Sequence, residues 1–62
     1  MIYAAQIDEA MNLLKQGLAF SNKEIAEAHF NEHREFMFIA TDEFVSPETH
    51  EYLNGKIVKK GK

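Results

Sequence analysis

His29 and His33 stand four residues apart, so on a helix both imidazoles project from one face, the arrangement that gives zinc two of its ligands. His50, with one of Glu32, Glu35 or Glu51, would complete such a set. The hydrolytic version of the motif needs a glutamate directly after the first histidine, and Phe30 occupies that place. Hydrolytic zinc chemistry is therefore unsupported. The alternative is two half-exposed helix histidines beside an acidic surface with no metal bound, and that is the expectation adopted. Among the hydroxyls, Ser21 and Ser46 are better explained as helix caps, and neither they nor Thr41 and Thr49 lie in a glycine-rich elbow. The three glycines are isolated, so no loop is built to cradle phosphate. The expectation is a chain that is not an enzyme and carries no cofactor.

The elements that would position these residues follow from spacing and turn chemistry. Tyr3, Ile7, Ala10, Met11 and Leu14 recur at three- and four-residue intervals, which predicts a helix over Ile2 to Gln16 ended by Gly17. Ser21-Asn22-Lys23-Glu24 reads as a capping box with Ser21 as N-cap, preceded by Phe20 as a hydrophobic staple. A second helix from about Asn22 to about His33 follows. Phe36 to Ala40 is an unbroken apolar run, and the Phe, Ile and Thr around it favour a strand over about Arg34 to Thr41 rather than continued helix. Asp42-Glu43 marks a turn, after which Phe44-Val45 returns to the core.

Ser46 to Gly55 has two readings. Ser46 as cap, Pro47 at the first helical position and Asn54-Gly55 as the stop describe a short third helix. Alternatively Asn54-Gly55 is a two-residue hairpin turn joining His50–Leu53 to Lys56–Lys59, with Tyr52 opposite Ile57, and this hairpin extends the sheet of Phe36 to Thr41. The expected class is α+β: two N-terminal helices packed on a small two- or three-stranded antiparallel sheet. Residues 1–62 form one small domain, with 59–62 a frayed basic tail.

Composition limits the partners. With 62 residues and no cysteine, the chain holds one small core and no disulfide, so tight aromatic packing or self-association must supply stability. Its N-terminus has no basic signal region and no apolar run approaches the ~20 residues of a membrane span, giving a cytoplasmic expectation with no membrane partner. The net charge is −3, and it is unevenly spread. Asn22 to Glu51 carries eight acids against Lys23 and Arg34, while Tyr52 to Lys62 carries four lysines and no acid.

The segment Phe20 to Phe30, with its capping Ser21 and Glu24-Ile25-Ala26, resembles the second helix of a helix-turn-helix. That resemblance implies DNA binding through Ser21–Phe30, with a winged variant placing Lys56, Lys59 and Lys60 of a basic C-terminal hairpin on the phosphate backbone. The residues that follow, Asn31 to Glu35 and then an apolar run, are acidic where a recognition helix is basic, which argues against nucleic acid. The preferred expectation is a small acidic protein-binding module, a regulator, inhibitor or adaptor that self-associates as a homodimer and meets a basic protein partner. Its motive is a surplus of aromatics: five Phe and two Tyr exceed what so small a core can centre. Glu24, Glu27, Phe30, Glu32 and Glu35 are the expected contact residues.

Overall fold

The structure, a computed structural model, describes residues 1–61, and it is mostly β. The elements are β1 (Ile2–Asp8), β2 (Leu13–Phe20), α1 (Lys23–Glu32), β3 (Met37–Thr41), β4 (His50–Leu53) and β5 (Lys56–Lys59). They form a three-stranded sheet in the order β2-β1-β3 and a separate β4-β5 hairpin, all pairings antiparallel.

The expected two-helix arrangement is thus overturned: residues 2–16 belong to a strand hairpin, and α1 is the single helix of the described residues. The reason lies in the position of β1 at the centre of its sheet. Its two faces are both covered, so Ala4 and Gln6 on one side and Ala5 and Ile7 on the other are all buried, and no polar alternation marks the strand. The connection to β2 is made by turn chemistry: the Asp8 carboxylate accepts from the Met11 N–H at 3.2 Å, and Asn12 takes a positive φ of 54°. Gly17 is not a helix stop. It lies inside β2, opposite Ala5.

Two layers cover the sheet. On one face Ala4 packs with Phe20 and Ala26 of α1, joined by the half-buried Ile2, Leu18 and Phe30. On the other, Ala5, Ile7, Leu14 and Val45 form a second cluster against Met37, Ile39, Tyr52 and Ile57. The helix covers the first cluster, and the hairpin covers the second. Expectation and structure agree closely for α1, but its N-cap is Asn22 rather than Ser21: the Asn22 side chain accepts from the Ile25 N–H at 2.9 Å.

The 50–59 segment takes the hairpin reading, with Tyr52 opposite Ile57 and positive φ at both Asn54 and Gly55. Contrary to that reading, it does not extend the sheet of β3: β4 and β5 pair only with each other, and Tyr52 and Ile57 pack face to face on the cluster of Ala5, Ile7, Leu14 and Val45. Lys59 ends β5 opposite His50, and the Lys60 N–H donates to the Thr49 carbonyl at 2.9 Å. Of the tail expected over 59–62, Lys62 lies outside the described residues.

Candidate functional site

β3 is an edge strand. Its inner side pairs with β1 from Tyr3↔Thr41 to Ile7↔Met37, and among the described residues nothing pairs with its outer side. Its sequence, Met-Phe-Ile-Ala-Thr, contains no charge, proline or glycine. Natural edges are usually blunted by charges, bulges or a cover, because an unpaired row of N–H and C=O groups is a template for another strand. The opposite edge, β2, has such devices: its register against β1 shifts between Gln6 and Ile7, and Lys15 is exposed there. β3 has none of them.

Beside β3, on the helix face, runs an open apolar groove of about 370 Å³ lined by Ile2, Tyr3, Ala4, Phe30, Phe38 and Ala40. The groove exists because α1 lies towards β2 and leaves the small Ala40 exposed. Phe30 stacks on Phe38 at 4.6 Å between ring centroids and forms the wall. A row of free backbone groups next to an apolar slot can give an extended chain both main-chain hydrogen bonds and side-chain pockets.

The expected contact residues do not share one surface. Phe30 lines the groove, and Glu27, one helical turn before it, is its exposed neighbour, held 4.0 Å from Lys23. Glu24 and Glu32 are exposed elsewhere around the helix, and Glu35 lies beyond its end, 3.9 Å from the His33 ring. Sequence reasoning missed Ile2, Ala4 and Ala40. A charge-free run as short as a strand was visible, but its exposure as an edge depends on which strand takes the centre.

The histidines divide between the layers. His29 and His33 stack at 4.5 Å on α1, and His29 is ringed by Phe20 and Phe38 at 5.3 and 5.7 Å, with its Nε2 buried and unpartnered. His50 is buried in the hairpin layer. Among the described residues no three His, Cys, Asp or Glu side chains converge as a metal site.

His50 instead joins Thr49 and Glu43: the Thr49 Oγ1 lies 2.8 Å from Nδ1, and a Glu43 oxygen lies 3.7 Å from Nε2. The order hydroxyl, imidazole, carboxylate is that of a nucleophilic triad. Yet the Thr49 hydroxyl also faces the Ser46 hydroxyl at 3.3 Å and its carbonyl at 3.4 Å, within the turn that starts β4. It serves as a turn lock that fixes His50. The cleft of about 620 Å³ beside it, between β3 and the hairpin, is lined by Asp42, Glu43 and Lys56 as well as apolar groups, and it presents no second set of converging polar groups.

No helix of the described residues is long and apolar enough to cross a membrane. Compared with known proteins, the chain matches no family model, no curated protein and no solved structure.

Proposed function

We propose that this chain is a non-enzymatic protein-binding module that takes up an extended apolar segment as an added strand on β3. A cytoplasmic setting and a regulatory or adaptor role belong to the same proposal. The observation that carries it is the pairing of a charge-free, unprotected edge with an apolar groove along it. Main-chain pairing would supply affinity with little demand on sequence, and the groove beside Ala40 would select a large apolar side chain. The exposed acids of the helix, Glu24, Glu27 and Glu32, favour a segment with a basic flank.

The test is affinity capture from a nuclease-treated native extract with the wild type and with Ala40→Glu. Ala40 is exposed, so the substitution leaves the fold in place while setting a carboxylate in the groove. Protein partners retained by the wild type and lost with Ala40→Glu support the proposal. Partners held equally by both contradict it.

A further inference from the structure

We propose that Asn54-Gly55 is a site of spontaneous covalent modification, at which the Asn54 side chain closes onto the Gly55 backbone nitrogen and its amide nitrogen is lost as ammonia. The site belongs to the β4-β5 turn and is independent of what pairs with β3.

The chain has four asparagines, and their settings differ. Asn22 is engaged as the helix cap, its side chain accepting from the Ile25 N–H at 2.9 Å. Asn31 is held within α1 and is followed by Glu32, and Asn12 is followed by the branched Leu13. A side chain on the following residue crowds the nitrogen that must attack. Asn54 alone is followed by glycine. Both residues of the turn are exposed, and no atom lies within 4 Å of the place where a Gly55 side chain would begin. The turn therefore has room to rearrange as the ring closes.

The reaction needs only water and hydroxide. Hydroxide takes the proton from the Gly55 amide, and that nitrogen forms a bond to the Asn54 side-chain carbonyl carbon. The bond from this carbon to the side-chain nitrogen breaks, and the nitrogen leaves with a proton as ammonia. Water then opens the five-membered imide at either carbonyl. Opening at the side-chain carbonyl leaves aspartate; opening at the main-chain carbonyl leaves isoaspartate, whose backbone runs through the former side chain.

The two products differ in their effect on the hairpin. Aspartate before glycine suits the same two-residue turn. Isoaspartate adds a backbone atom to a turn whose length fixes the register of Tyr52 against Ile57, and these two residues pack on the cluster of Ala5, Ile7, Leu14 and Val45. Isoaspartate at this turn thus loosens the layer that covers one face of the sheet.

The test follows the full chain, folded and urea-unfolded, in mildly alkaline buffer by peptide mass spectrometry. In the folded protein, the peptide carrying Asn54 should gain the mass difference between an amide and an acid, as a mixture of aspartate and isoaspartate, while Asn12, Asn22 and Asn31 stay intact. Gly55→Ala should slow the gain roughly tenfold, because a methyl group beside the attacking nitrogen raises the barrier. Asn54→Gly should abolish it, with circular dichroism checking that the fold is kept.

An Asn54 that stays intact in the folded chain while the unfolded chain reacts overturns the proposal. So does a gain that appears first at another asparagine, or one that Gly55→Ala leaves at the wild-type rate. The isoaspartate form, separated by chromatography, should melt below the wild type, whereas Asn54→Asp, which carries the same charge without the added backbone atom, should melt near it. Equal midpoints for the isoaspartate form and the wild type would contradict the loosening of the hairpin layer.

Discussion

The carbonyl oxygen of Val45 lies against Gly17 where a side chain would otherwise begin, so the loop after β3 crosses directly over β2. This contact ties the hairpin layer to the main sheet, because Val45 is buried in the same cluster as Ala5, Ile7 and Leu14. It also covers one face of β2 at its middle.

Gly17→Ala should therefore destabilise the fold by about 1–3 kcal/mol, because a methyl group there meets backbone rather than a yielding side chain. Urea unfolding measures it. An unchanged midpoint would mean that the loop does not cross there.

The helix start makes a sharper distinction. With Asn22 as N-cap, Asn22→Ala should lose about 1 kcal/mol, while Ser21→Ala should lose only a few tenths. Thermal unfolding of the two variants decides between them, and the reverse order would restore Ser21 as the cap.

Gln6 is buried in β1, and its side-chain oxygen accepts from Gln16 Nε2 at 2.6 Å. Gln16→Ala should cost about 1–3 kcal/mol although Gln16 is itself exposed, since it strips a buried acceptor of its donor. A double variant, Gln6→Leu/Gln16→Leu, should recover most of that loss, and denaturant titration of the two reads the difference.

The β4-β5 turn gives another test. Gly55 has a φ of 80°, a conformation that a side chain disfavours, and nothing crowds its Cβ position. Gly55→Ala should thus destabilise through backbone strain alone, by about 1 kcal/mol. Asn54→Gly should be tolerated at the same turn, because glycine also adopts positive φ.

How much of this was legible in the sequence depended on whether each local signal survived its tertiary setting. Asn54-Gly55 demands positive φ wherever it lies, so the hairpin register of Tyr52 against Ile57 could be read directly as one of two alternatives. The boundaries of α1 and the strand at Met37–Thr41 were close for similar reasons. The N-terminal third was misread because Ala, Met, Leu and Gln favour helices locally. The central strand, buried on both faces, offered no period of two to oppose them. The signal that could have corrected it was Asp8 with Asn12, a side-chain turn followed by a residue suited to positive φ.

The candidate site was legible only in part. Phe30 could be picked as an aromatic on an acidic helix, and Glu27 beside it. The edge itself is a property of strand order, which places β1 rather than β3 at the centre, and nothing local to residues 37–41 announces that.

The central claim is that the outer edge of β3 pairs with another strand, and hydrogen–deuterium exchange tests it most directly. In the free protein the amides of 37–41 that face outward should exchange quickly. On addition of a captured protein the segment Met37–Thr41 should gain protection while β2 and α1 stay unchanged. Exchange in β3 that is unchanged by the captured protein, with new protection appearing elsewhere, would contradict the account.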